Sequence, residues 1–128
     1  MNNATRPDIL VNDIGQAMAE GRWADVLAHV APNVTAHVPA VGDLDGVDAL
    51  AGFIAEIAGK AEDGEHFELL DTLVGDSHAA LYFRITANRP GRAPLDNLTL
   101  HLVRLEDEQI AEIWFHNFDG LAVAAFWA

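Results

Sequence analysis

The 128-residue chain contains no cysteine. Disulfides, thiolate nucleophiles and zinc–thiolate sites are thereby excluded, and the absence suits a reducing, cytoplasmic setting. Positive charge is scarce as well. Seven Lys and Arg stand against 20 Asp and Glu, for a formal net charge of −13. Nucleic acid and anionic membrane surfaces are bound through clustered Lys and Arg. The seven here are scattered, so neither is an expected partner, and the carboxylate excess reads as solubility. Long apolar runs are missing too. The opening MNNATRPDILVND has no run of signal-peptide length, and LAVAAFWA, the most apolar stretch, is far shorter than a bilayer span. A soluble, cytoplasmic protein is expected. No His-x-x-x-His or other short-spaced histidine pair occurs, so no metal is expected. GDLDG lacks the spacing and the Lys of a phosphate loop, and Gly-x-Ser-x-Gly is absent. No cofactor is implied.

What remains is globular: 51% of residues are hydrophobic and 21% charged, within the range of folded proteins. The length suits one domain over residues 1–128 with a core of its own. Periodicity predicts a first helix from Pro7 to Glu20, capped by Thr5, with Ile9, Leu10, Ile14, Ala17 and Met18 on one stripe and Gly21 as its stop. A second helix starts near Trp23, carries Trp23, Val26, Leu27 and Val30, and ends at Pro32. VTAHVP (Val34 to Pro39) reads as a strand and Gly42 to Gly46 as a turn. Val47 to Ala58 reads as a third helix, and Gly59 to Gly64 as a loop. Four strands follow: His66 to Val74, Ala79 to Ala87, Leu95 to Leu105 and Gln109 to Phe118. GDS, NRPGR and EDE supply their turns. Helices first and an antiparallel meander after them imply an α+β fold, with helices on one face of the sheet.

Four segments carry a family resemblance. They are GRWADVLAHVAPNVTAHVP, LDGVDALAGFI, LLDTLVGDSHAALYFRI and LTLHLVRLEDEQIAEIWFHNFD. Together they resemble the SnoaL-like and ketosteroid-isomerase-like group of the nuclear transport factor 2-like superfamily, over most of the chain from about Ile9 to Phe126. The resemblance implies a cystatin-like roll: a cone-shaped, curved antiparallel sheet packed on about three N-terminal helices, with a pocket at the open end. It also implies a homodimer through the outer sheet face. The last two strands agree, since Leu98, Leu100 and Leu102 alternate with Thr99, His101 and Val103, and a strand apolar on both faces calls for cover on both.

The resemblance also organises the candidate chemistry. Ketosteroid isomerases carry an aspartate base in a Glu-Asp-Pro motif on the first strand; here His37-Val38-Pro39 puts Val38 at that position, and a valine takes no proton. Their oxyanion-hole acid aligns near His101, which could donate a hydrogen bond, act as a base near neutral pH, or simply be a core histidine. Superfamily epoxide hydrolases use an Asp-Arg-Asp set, and LYFRITA lacks the Arg-x-Asp. A superfamily scytalone dehydratase pairs histidine with aspartate; His66 and Asp25 are the nearest equivalents, or else an edge histidine and a solvated acid. His37 alternates with Val34, Ala36 and Val38 and leans outward, though so short a strand leaves it a candidate for ligand contact. His29 and His78 read as exposed. If Glu112 faces out, so do Trp114 and His116, and Ile113, Phe115 and Asn117 face in. Trp23, Phe53 and Tyr82 are the aromatic candidates for a pocket wall, with Asn97 and Asn117 as polar handles. Apolar pockets with a few polar groups take small organic molecules. The expected partner is a small hydrophobic or cyclic organic ligand. Simple binding and an isomerase, cyclase or dehydratase reaction through His101 both remain open.

Overall fold

The computed structural model describes residues 6–128, so the proposed Thr5 cap lies outside the described residues. Helices α1 (Pro7–Ala19) and α2 (Trp23–Ala28) lead into strands β1 (Val30–Val38) and β2 (Gly42–Asp45). Helix α3 (Val47–Lys60) follows. Then come β3 (Glu62–Val74), β4 (His78–Asn88), β5 (Leu95–Glu106), β6 (Gln109–Asn117) and a closing helix, α4 (Gly120–Trp127).

Pro7 occupies the first turn of α1, where its missing N–H costs nothing. The helix buries Leu10, Val11, Ile14, Gly15, Ala17 and Met18. Ile9 is 47% exposed and falls off the stripe, whose centre is Val11 instead. A Cβ on Gly15 would stand 2.9 Å from Leu69 Cδ2 and 3.2 Å from Leu81 Cδ2. That absent side chain lets α1 settle close on the sheet.

The six strands form one sheet in the order β2-β1-β6-β5-β4-β3. The meander β3–β6 is antiparallel, as alternation and turns imply. The β5–β6 connection is the two-residue turn Asp107-Glu108, both at positive φ, as a hairpin of matching twist requires. The sheet as a whole is mixed, because β1 runs parallel to β6 and antiparallel to β2. A parallel neighbour needs a long crossover, and α3 with the whole meander supplies it.

Several segments differ from the sequence-based expectation, among them Gly59 to Gly64, where α3 runs on to Lys60 and β3 starts at Glu62 in place of a loop. The second helix stops at Ala28, and Val30 opens β1. Pro32 sits inside that strand, where the β1–β6 register shifts between Val30 and Thr35; an irregularity tolerates a residue with no N–H to donate. GDLD is a short strand rather than a turn only. LAVAAFWA lies in α4, whose N-cap Asp119 accepts from the Ala122 N–H at 3.1 Å.

The core joins Leu10, Val11 and Ile14 of α1 to Val34 and Ala36 of β1, Leu81 and Phe83 of β4, and Val103 and Ile113 of β5 and β6. A smaller cluster of Ala87, Leu95 and Phe126 fastens α4. Arg89 and Arg92 add to it, donating to the Phe126 and Ala125 carbonyls at 2.7 and 2.8 Å. No helix among the described residues is long and apolar enough to cross a membrane.

Candidate functional site

The inner face of the sheet does not meet the helices everywhere. Between α2, α3, α4 and strands β1, β3, β5 and β6 lies a cavity of about 420 Å³. Its wall is apolar, with Trp23, Leu27, Phe53, Ile54, Ile113 and Phe115 among its residues. Four polar side chains interrupt it: Glu65, Asn97, His101 and Asn117.

Strand alternation puts these groups there. In β5, Leu95, Asn97, Thr99, His101 and Val103 are all buried, and the residues between them turn to the outer face. The facing register pairs Thr99 with Asn117 and His101 with Phe115. Glu65 lies two residues before Phe67 on β3, so both share the inner face.

The polar groups are not equivalent. Asn97 Nδ2 donates to Asn117 Oδ1 at 3.1 Å, and Asn97 Oδ1 accepts from the Asp119 N–H at 3.3 Å. These amides tie β5, β6 and the start of α4 together at one end of the cavity. His101 is ringed by aromatics: Phe115 at 4.7 Å edge-on, Phe83 at 5.3 Å and Phe67 at 6.3 Å between ring centroids. Its Nδ1 is buried with no hydrogen-bond partner among the described residues. Burial pushes its pKa down to about 3, so the imidazole is neutral near pH 7. It is a hydrogen-bonding group there, and too weak a base to work as one at neutral pH. Glu65 shows the opposite effect: burial pushes its carboxyl up to about 7.

Of the residues singled out from sequence, Trp23, Phe53, Asn97, His101, Phe115 and Asn117 line the cavity. His37, His66 and Tyr82 do not, because each sits on the outward phase of its strand. His37 is held outside by Asp43 at 2.7 Å and Glu112 at 2.6 Å, and it stacks on Trp114 at 5.3 Å. Both carboxylates raise its pKa, Glu112 more strongly. Tyr82 lies between inward Leu81 and Phe83, and stacks on Phe118 at 5.8 Å. His66 is exposed between Glu65 and Phe67. Asp25 is bound to Arg22 at 2.6 Å on an exposed face, so the two are not brought together as a pair. Val38 does line the cavity, and that part of the wall is apolar. Glu65 was not singled out, because residues 59–64 read as a loop. Starting the strand at Glu62 puts Glu65 in phase with Phe67. The α4 wall, with Val123 and Trp127, was missed for a similar reason: eight nearly all-apolar residues show no periodicity. Among the described residues no group of three or more His, Asp or Glu is placed to hold a metal ion.

The family model for the SnoaL-like domain matches residues 11–113. The chain belongs to the SnoaL-like family. Solved structures similar to this SnoaL-like chain include a cystatin-like-fold protein of unknown function from Xanthomonas campestris. It is 18% identical with a TM-score of 0.88, over 97% of this chain and 99% of that one. A putative SnoaL-like polyketide cyclase from Jannaschia sp. CCS1 is 15% identical with a TM-score of 0.78, over 98% and 96%. TerC, co-crystallized with polyporic acid, is 12% identical with a TM-score of 0.78, over 94% and 98%. At these identities the likeness is one of fold. No curated protein matches significantly.

Proposed function

We propose that this SnoaL-like protein binds a small apolar or cyclic organic molecule bearing a polar oxygen function in the cavity between α2, α3, α4 and the sheet. The observation that carries this reading is an apolar cavity of about 420 Å³ whose wall carries a few polar side chains, Asn97, His101 and Asn117 among them. The co-crystal of TerC with polyporic acid, a ligand in a protein of the same fold, supports the ligand class.

A thermal-shift screen over cyclic ketones, steroids, aromatic polyketides and terpenes tests it. Ligands that bind the folded state raise Tm by mass action. At least one oxygenated class is expected to do so, with the shift reduced in His101→Leu. No shift from any class sinks the proposal.

The outer sheet face supports a homodimer. Leu98, Leu102 and Phe118 are exposed there beside Leu100, Trp114 and Tyr82. Ion pairs flank this surface, Arg84–Asp96 at 2.6 Å on one side and Arg104–Glu112 at 3.3 Å on the other. An apolar centre with a charged rim is how protein interfaces are built. Sedimentation of the wild type is expected to give twice the chain mass of 13.8 kDa, and Leu102→Glu to give the monomer. A monomeric wild type would overturn it.

A further inference from the structure

We propose that the cavity takes a small apolar amine, held as its ammonium ion by the Glu65 carboxylate. This rests on the ligand-binding reading above and adds the sign of the ligand's charge to it.

The cavity wall contains no Lys, Arg or Asp side chain, and Glu65 is its one acidic side chain. The histidine in the wall, His101, is neutral. Glu65 follows an irregular stretch of the edge strand β3. The β3–β4 register shifts between Glu62 and His66, and Asp63 and Gly64 both take positive φ. Bulges re-aim the side chains beside them, and the side chain that follows this one lines the cavity.

Nothing in the described protein neutralises that carboxylate. Among the described residues Glu65 has no hydrogen-bond or ion-pair partner. Its neighbours on β3, Glu62, Asp63 and His66, are exposed. On α3, Asp48 is exposed and Lys60 pairs with Glu56 at 3.5 Å. On α1, Asp8 and Asp13 are exposed. Arg84 of β4 holds Asp96 at 2.6 Å. Arg89 and Arg92, after β4, donate to carbonyls of α4. Every arginine and lysine of the elements packed around Glu65 is therefore engaged elsewhere.

A carboxylate in an apolar wall needs a positive partner or a proton. In the free protein the proton serves, and burial keeps the carboxyl protonated up to about pH 7. An ammonium group does the same and brings its hydrogen-bond donors with it. The rest of the wall suits the same ligand. Trp23, Phe53, Phe67, Phe115 and Trp127 line it, and aromatic faces attract cations as well as burying apolar surface. The net charge of −13 draws cations towards the protein and repels anions. An anionic ligand would meet a second negative charge in the cavity and no cationic side chain. A neutral one would leave Glu65 unused.

Ligand and proton then compete for one carboxylate. Amine affinity should rise with pH as Glu65 ionises, up to the amine's own titration near about pH 10, and binding below about pH 7 should release a proton.

The test uses three probes of one shape: 2-aminotetralin, 2-tetralol and tetralin-2-carboxylate. Binding is followed by fluorescence of Trp23 and Trp127 and by calorimetry, in the wild type and in Glu65→Gln. At pH 8 the wild type is expected to bind the amine about 10-fold or more tighter than the alcohol, with the carboxylate weakest. From pH 8 to pH 6 the amine affinity should fall about 10-fold and the alcohol affinity should stay constant. Glu65→Gln keeps the side-chain shape, so it should bind the alcohol as the wild type does and lose both the amine preference and its pH dependence. Equal wild-type affinity for amine and alcohol, or an amine preference that survives in Glu65→Gln, overturns the counter-ion role and leaves the ligand-binding reading intact. If no probe binds while other classes raise Tm, the amine assignment fails alone. If nothing binds, both fail.

Discussion

His101→Leu is expected to remove most of an acid-induced loss of stability that the wild type shows between about pH 6 and about pH 3. In the unfolded chain this histidine titrates near its ordinary value of 6.5, whereas in the fold burial holds it down to about 3. Between those values the unfolded state carries the extra proton, so stability falls as the pH falls. A shift of that size corresponds to at most about 5 kcal/mol. Leucine fills a similar volume with no proton to bind, and it removes the cost of the unpartnered Nδ1. The variant should therefore be at least as stable as the wild type at pH 7 and clearly more stable at about pH 4, while its ligand-induced Tm shift shrinks. Urea unfolding across pH measures this. The Glu65 carboxyl works in the opposite direction: the folded state holds its proton more tightly, so its contribution declines as pH rises from about 4.5 towards 7. His101→Leu and Glu65→Gln should thus flatten opposite limbs of one pH profile. An unchanged acid limb in His101→Leu would mean the imidazole is hydrated in solution.

Phe83→Ala is expected to cost about 3–5 kcal/mol, the range for emptying a buried phenylalanine site. Phe83 is fully buried, with Phe67 edge-on at 5.4 Å and His101 at 5.3 Å. It ties the α1-facing core to the cavity wall. Loss of its ring removes dispersion contacts on both sides, and the meander backbone cannot collapse to fill the space. Urea denaturation should show a lower midpoint with the slope little changed. Ligand shifts should weaken as well, because His101 loses one of its three aromatic neighbours. A cost below about 1 kcal/mol would mean that the core relaxes around the gap.

Sequence reading reached α1, α3 and the four-stranded meander because those elements repeat their apolar residues at 3.6 or 2. Turn residues also punctuate the meander: Asp107-Glu108 takes the positive φ values its hairpin needs. Alternation further placed Phe115 and Asn117 on the inward phase once Glu112 was taken to face out, whereas His101 came from the family resemblance and its facing was left open. The family was legible for the same reason, since its segments are patterns of helix, break and strand. Local periodicity survives folding, so a single chain displays it.

What tertiary structure alone decided depends on partners distant in sequence. The parallel pairing of β1 with β6 joins residues about 80 positions apart, such as Val30 with Ile110, and no local pattern encodes which edge a strand joins. LAVAAFWA is uniformly apolar, and only its docking on Leu95 and Ala87 makes it a helix and a cavity wall. The states of Glu65 and His101 were likewise invisible: a pKa is set by desolvation and neighbouring charge, and both arise when β3, β5 and the helices close around one space. The chain by itself therefore determined a helix-and-meander scaffold with a row of inward side chains. Three-dimensional packing decided which of them share an apolar cavity, and burial there moved one group's proton affinity towards neutral pH and the other's far below it.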